Sequence, residues 1–281
     1  MNTRSLESAY AQLVSFEAQP EIAAARFTID SNEPGQGDLD ISTAKLPYYR
    51  EFDFGDDDRR WFVQATASYV DMEQTDRLQL SSGVNERLDA SWEGFGALVE
   101  GGLLFSLSEN FDLATSVGGG VSRLENEMKF TQGIADALDP KLDGVLYDWD
   151  TLASILRASV ALRYDQKFSS WRVKSSAHLS GSYIDSFDES DRFGGFSDEA
   201  GNLGIQMDVS HPIGLEVSDY PVFVIGHLGY THLLGADRDA LGFDSFGEAG
   251  ISIGVQKFTL GVLGIIGSSV SGWNLQFNYD Y

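Results

Sequence analysis

The chain has 281 residues, of which 42% are hydrophobic and 12% aromatic, with 30 glycines, 6 prolines and no cysteine. The 19 basic residues against 43 acidic residues give a formal net charge of −24, which argues against nucleic acid as a partner because its phosphates would be repelled. The lack of cysteine excludes disulfides and thiolate metal sites. No apolar run approaches the roughly 18 residues that a membrane-spanning helix needs, so helical insertion is also excluded.

The first 26 residues predict a short amphipathic helix, because apolar residues recur at helical spacing until Pro20 interrupts the pattern. The recurring residues are Leu6, Tyr10, Leu13 and Val14. The stretch after Met1 has no apolar core of the signal-peptide kind, so we expect a mature form whose signal peptide has been removed. This divides the chain into a helical segment, 1–26, and a β domain, 27–281.

After residue 26 the spacing of apolar residues changes to a period of two, which predicts strands separated by Gly, Asp, Asn and Ser. Twelve strands are expected near 26–30, 46–54, 61–69, 93–105, 111–121, 156–164, 171–183, 203–209, 222–230, 249–255, 258–266 and 273–281. Short connections are predicted at 55–60, 106–110, 165–170, 211–219 and around Lys257. Longer ones alternate with them at 31–41, 71–90, 125–147, 185–201 and 233–246, with 267–272 as a brief exception.

Short turns on one side and long loops on the other are typical of an outer-membrane β-barrel, whose short turns lie in the periplasm. Outward aromatics support this interpretation: Trp61 and Tyr69 are eight residues apart on one face, about 26 Å along a strand and roughly 20 Å along a tilted barrel axis. They fit the aromatic belts at the two membrane interfaces. A soluble antiparallel sandwich stays open as the alternative.

The last nine residues alternate large apolar and polar side chains without a slip. Their outward face consists of Trp273, Leu275, Phe277, Tyr279 and Tyr281, and a terminal strand of this kind needs an apolar cover, for which lipid is suited. The pattern resembles the carboxyl-terminal assembly signal of bacterial outer-membrane proteins.

An amino-terminal helix, about twelve strands and this terminal strand together resemble the autotransporter β-barrel domain in its solitary form. The resemblance covers nearly the whole chain. It implies a helix that threads the lumen and a domain involved in placing a passenger on the cell surface. Because only the 1–26 segment precedes the first expected strand, we expect no passenger within this chain.

A cluster of charged residues is expected to line the lumen. The basic members lie on two adjacent strands and the acidic members on the preceding hairpin: Arg157, Arg163, Arg172 and Lys174, then Glu93, Glu100 and Asp112. Three interpretations stay open. The charges neutralise one another in a wet interior, they bind the helix residues Glu7, Glu17 and Glu21, or they select permeating ions.

His178 and Ser180 resemble the His-x-Ser pair of outer-membrane lipid hydrolases, in which imidazole activates a hydroxyl. Both are predicted to face inward, Gly181 follows them, and no orienting residue is evident, so the sequence favours ordinary lumen polarity. Scattered histidines give no metal-ligand spacing. The carboxylate-rich loops, for example 185–199, predict a solvated acidic face that repels lipopolysaccharide or shares cations with it.

These patterns predict an all-β protein: a transmembrane antiparallel β-barrel of about 12 strands with a short N-terminal helix in or under the lumen. We expect a pore or scaffold restricted by that helix in the outer membrane of Gram-negative bacteria, with no catalysis, no cofactor and no metal. The alternatives are a narrow porin-like diffusion channel, a lipid hydrolase, or a surface interaction platform. The expected partners are the bilayer, lipopolysaccharide and the outer-membrane assembly machinery, and the protein is expected to be a monomer.

Overall fold

A computed structural model describes residues 24–30, 37–56, 59–79, 85–130, 149–187, 196–235, 242–256 and 258–279. These residues form twelve strands: β1 (Ala24–Ile29), β2 (Leu39–Asp56), β3 (Arg59–Gln79), β4 (Asn85–Ser108), β5 (Phe111–Phe130), β6 (Trp149–Phe168), β7 (Trp171–Phe187), β8 (Ser197–Val217), β9 (Tyr220–Gly235), β10 (Ser245–Val255), β11 (Phe258–Gly267) and β12 (Val270–Tyr279). The predicted count of twelve is confirmed.

The strands form one closed antiparallel barrel in which each strand pairs with its neighbours in sequence and β1 pairs with β12. The closing register runs from Ala24 opposite Leu275 to Ile29 opposite Val270. Closure pairs the wall's backbone groups and removes the free edges that a sandwich would have. The sandwich alternative is therefore wrong.

The connections follow the predicted alternation. Two positions separate β2 from β3, β4 from β5, β6 from β7, β8 from β9 and β10 from β11, all at one end of the barrel, which we assign to the periplasm. The predicted turn over 211–219 is too long, since β8 continues to Val217. The predicted loop over 71–90 is mostly strand as well, since β3 reaches Gln79 and β4 starts at Asn85. Outside lipid a strand keeps its backbone pairing but loses the apolar alternation that reveals it in the sequence.

The outward face is apolar across the membrane, as predicted. On β4, Phe95, Val99 and Leu103 are 53%, 55% and 40% exposed. Trp273 and Phe277 lie on the same outer surface of β12, at 45% and 46% exposed. Since the outward aromatics Trp61 and Tyr69 mark the two interfaces, residues beyond Tyr69 on β3 lie outside the membrane.

The inward face has two zones. In the extracellular half it is an apolar collar, a single packed cluster of buried residues to which all twelve strands contribute, including Phe27, Ile41, Met72, Trp92, Ile155 and Ile184. Below it the inward residues are mainly polar, apart from a small apolar cluster of Phe62, Leu104 and Ala114. The expectation of a polar interior is therefore wrong for the extracellular half, where the side chains pack against apolar neighbours instead of facing water.

The predicted helix over 5–26 lies outside the described residues, except that 24–26 belong to β1. In the part of the chain that is described, no helix is long and apolar enough to cross a bilayer.

Candidate functional site

Below the collar, the lumen wall carries a ring of buried polar side chains, here called the polar belt. Its members come from nine strands: Thr66, Glu100, Ser116, Arg157, Ser180, Asn202, His227, Ser252 and Asn274. Strand alternation places them inward, because their sequence neighbours are the exposed lipid-facing residues. A buried polar ring at this height needs partners for its donors and acceptors.

Glu100 and Arg157 form an ion pair in the belt. They are 5% and 4% exposed, and Arg157 Nε lies 3.7 Å from Glu100 Oε1. Ser116 Oγ donates to the same carboxylate oxygen at 3.1 Å. Gly118 lies between the two strands that carry the charges, and a Cβ there would come within 2.5 Å of Glu100 Cγ. The glycine thus leaves the space in which the carboxylate lies.

His178 and Ser180 both face the lumen, as predicted. His178 Nε2 donates to Asn202 Oδ1 at 3.1 Å, which requires the proton on that ring nitrogen. Asn202 is the orienting residue that the sequence did not reveal, because it is 24 residues away and meets His178 only through β7–β8 pairing. The Ser180 hydroxyl is buried and makes no hydrogen bond to the imidazole or to any other described residue.

A second imidazole contacts a carboxylate on the neighbouring strand. His227 Nδ1 is 2.5 Å from Asp208 Oδ1. A Cβ on Gly229 would lie 3.5 Å from His227 Nε2 and 3.3 Å from Glu248 Oε2, so both side chains approach the space that this glycine leaves open. Asn274 Nδ2 in turn donates to Glu248 Oε1 at 3.4 Å. The row joins four strands of the wall, β8, β9, β10 and β12.

Nearer the periplasm, a charged network bridges strands that are not neighbours. Arg60 contacts Glu51 at 2.7 Å and Asp112 at 2.6 Å. The Tyr49 hydroxyl donates to Glu51 at 2.7 Å and accepts from Arg163 Nη1 at 3.0 Å. These contacts connect β2, β3, β5 and β6 across the lumen mouth.

The predicted charge cluster is therefore divided among three places. Arg157 and Glu100 pair in the belt, whereas Arg163 and Asp112 belong to the periplasmic network. Arg172 makes a bidentate pair with Asp165 at 2.7 and 2.5 Å, and Lys174 lies opposite that same aspartate.

Glu93 does not face the lumen, which corrects the prediction. It lies two residues before the lipid-facing Phe95 and so shares its outward face. There it stands in a row of outward carboxylates, Asp71, Glu93, Glu125 and Asp150, each directly opposite the next across β3 to β6. Partial burial raises the pKa of Asp71, and the negative charges of Glu73 and Glu93 raise it further. Within the described residues no group of three or more side chains is arranged to hold a metal ion.

Comparisons with known proteins agree with this architecture. Residues 24–281 match the family described as "Solitary outer membrane autotransporter beta-barrel domain". No curated protein matches the sequence.

Two solved structures are similar in fold. The translocator domain of the autotransporter NalP from Neisseria meningitidis has a TM-score of 0.55 at 8% identity, over 99% of this chain and 96% of that one. The β domain of the Bordetella autotransporter BrkA has a TM-score of 0.50 at 12% identity, over 93% of this chain and 97% of that one. The family match over nearly the whole length shows that this chain belongs to the solitary outer-membrane autotransporter β-barrel domains.

Proposed function

We propose that the protein is a closed scaffold in the outer membrane, whose lumen is occupied by its own residues 1–23. The observation that carries the proposal is the burial of the polar belt on nine of the twelve strands, down to 0% exposure at Asn202 and 2% at Ser252 and Asn274. Side chains alone fill barrels of about eight strands, and wider rings enclose space. Short side chains of the belt such as Ser252 and Asn274 do not reach across a twelve-strand ring, so their burial favours further chain inside the lumen.

The start of β1 supports residues 1–23 as the occupant. Ala24 lies partway down the wall, since β12 continues past Leu275 to Tyr279 and β2 continues past Ala44 to Asp56. A chain that left the wall toward lipid there would carry unpaired backbone groups into hydrocarbon, so the lumen is the favourable direction. As a helix, residues 1–23 would measure about 34 Å, enough to cross the lumen.

Conductance in planar bilayers tests the proposal. The full chain should be silent. Because the apolar collar lies above the polar belt, the variant lacking residues 1–23 also carries Phe196→Ser and Phe243→Ser to open the collar. This shortened variant should conduct steadily once heat-modifiable gel mobility has shown that it is folded, whereas the two serine substitutions with residues 1–23 present should stay silent. Steady conduction by the unaltered chain would instead support the narrow diffusion channel. Silence of the folded, shortened variant would contradict the plug.

A matched variant tests what holds the segment. Glu7→Gln, Glu17→Gln and Glu21→Gln together retain its length and shape but remove its carboxylates. If the belt arginine binds these carboxylates, the triple variant should conduct intermittently when it also carries Phe196→Ser and Phe243→Ser, with openings that become more frequent at high salt. A triple variant as silent as the full chain would show that charge does not hold the segment.

The proposal gives His178 and Ser180 no catalytic role. The serine hydroxyl is buried, and the imidazole N–H at Nε2 donates its hydrogen bond to Asn202 Oδ1. We therefore expect no labelling of the folded chain by a fluorophosphonate probe. Labelling that disappears in Ser180→Ala would contradict this and favour the lipid hydrolase.

A further inference from the structure

The apolar collar is completed by two residues that come from connections and not from the wall. Phe196 precedes β8 and Phe243 precedes β10, and both are buried in the same cluster as the collar side chains. Both connections lie at the extracellular end, opposite the two-residue turns.

Hydrogen bonds hold Phe196 directly and the residue that follows Phe243. Phe196 N donates to Ser186 Oγ at 2.6 Å, and Ser186 N donates back to Phe196 O at 2.9 Å. Next to Phe243, Leu233 N donates to Asp244 O at 2.8 Å. The Phe243 ring packs edge-on against Phe246 with centroids 6.0 Å apart. The two rings are therefore fixed parts of the collar.

A ring of this composition excludes water. Apolar side chains offer water no hydrogen bonds, and hydrophobic constrictions close pores by dewetting, without needing a charged or polar barrier. Within the collar, the side chains of Ala153 on β6 and Ile184 on β7 are both 0% exposed.

We propose that the collar, closed by Phe196 and Phe243, is an extracellular seal that keeps water and solutes out of the barrel. This goes beyond the proposed function, because it assigns a second barrier to described residues of the wall and of two extracellular connections. The barrel then excludes solutes from the outside at the collar, above the level of the polar belt.

Thiol labelling from outside intact cells tests the seal. The chain has no cysteine, so Ala153→Cys gives a single reporter without background. Ala153 lies opposite Ser186, the residue that holds Phe196. In the full chain, a membrane-impermeant maleimide should react with this cysteine very slowly. Adding Phe196→Ser and Phe243→Ser should admit water and speed the reaction at least about tenfold.

The matched control is Phe62→Ser in the same reporter background. Phe62 is an inward phenylalanine of similar burial, 4% exposed, but it packs with Leu104 and Ala114 in a separate cluster. This control should leave the labelling rate unchanged. Heat-modifiable gel mobility shows which variants are folded. If the double variant does not fold, the single variant Phe243→Ser replaces it, and we expect a smaller acceleration of labelling from it.

Three results would overturn the seal: fast labelling of the reporter in the otherwise unaltered chain, no acceleration in the folded collar variants, or equal acceleration by Phe62→Ser. None of the variants in this test changes residues 1–23. Failure of the seal is therefore distinguishable from failure of the plug, which is decided by conductance of the shortened chain.

Discussion

Arg163 Nη1 donates a hydrogen bond to the Tyr49 hydroxyl at 3.0 Å, although their strands, β6 and β2, are separated in the barrel by three others. The same guanidinium lies 5.5 Å from the centre of the Tyr49 ring and 5.9 Å from that of Phe62. This side-chain bridge across the periplasmic mouth joins parts of the wall that backbone pairing leaves independent.

Tyr49→Phe should destabilise the barrel by about 1–2 kcal/mol, because it removes a hydroxyl that bonds to both Arg163 and Glu51. Urea unfolding in detergent micelles measures the loss. Tyr230→Phe is the control, since Tyr230 is outward-facing and 50% exposed, and it should change stability by much less. An equal effect of the two variants would argue that the bridge contributes nothing.

Glu100→Gln should cost about 3–5 kcal/mol, because it leaves the buried Arg157 charge without its counter-ion. Combining it with Arg157→Gln should recover part of that cost, since no buried charge is then unpaired. A double-mutant cycle from urea unfolding measures the coupling. Strictly additive losses would refute the ion pair.

Gly118→Ala should be destabilising, because the new Cβ would approach Val99 O to 2.4 Å and Glu100 Cγ to 2.5 Å. Gly119→Ala is the neighbouring control, with Ile155 O as its nearest atom at 3.5 Å. We expect a loss of about 1–3 kcal/mol at Gly118 and little change at Gly119 in the same unfolding assay. Equal stability of the two variants would place the glycine requirement elsewhere.

Val99→Arg should cost about 2–4 kcal/mol, because it puts a charge on the lipid face near the centre of β4. Glu93→Arg, six residues earlier on the same face, should not destabilise the barrel and should increase its stability slightly. It lies above the aromatic belt and replaces one charge in a row of facing carboxylates. Folding yield into lipid vesicles measures both, and a large loss at Glu93 would contradict its position outside the membrane.

Two aspartates on the extracellular extensions should respond to pH in opposite directions. Burial and the charges of Glu73 and Glu93 raise the pKa of Asp71. The contribution of this residue to the free energy of unfolding is therefore most favourable at acid pH, and it is lost as pH rises through that pKa. Asp71→Asn should therefore stabilise at neutral pH, by about 0.5 kcal/mol, and have no effect in acid.

Asp89 is the opposite case. Hydrogen bonds from Thr75 and Arg87 lower the pKa of Asp89 in the folded protein. Its contribution to the free energy of unfolding is therefore present above the pKa of the unfolded chain and is lost as pH falls through the pKa of the folded protein. Asp89→Asn should weaken the fold at neutral pH and become neutral in acid. Urea midpoints at pH 7 and pH 3 test both variants, and shifts of the same sign would contradict the two environments.

The amino-acid sequence by itself determined the strand count, the alternation of short and long connections, and the lipid-facing surface. These follow from local chemistry, because a strand in lipid must place apolar residues at every second position. The same rule places Glu93 with Phe95 on the outer face. The extracellular ends of β3 and β4 escaped prediction because strands outside lipid lose that alternation.

Only the tertiary structure decided how the inward residues divide. Collar and belt residues follow the same inward alternation, and the height at which closure places each residue decides which apolar and which polar side chains meet. The partners that matter are far apart in sequence: Glu100 meets Arg157, His178 meets Asn202, and Tyr49 meets Arg163. Strand register and the curvature of the closed ring set these contacts, and neither is encoded by the periodicity of a single strand.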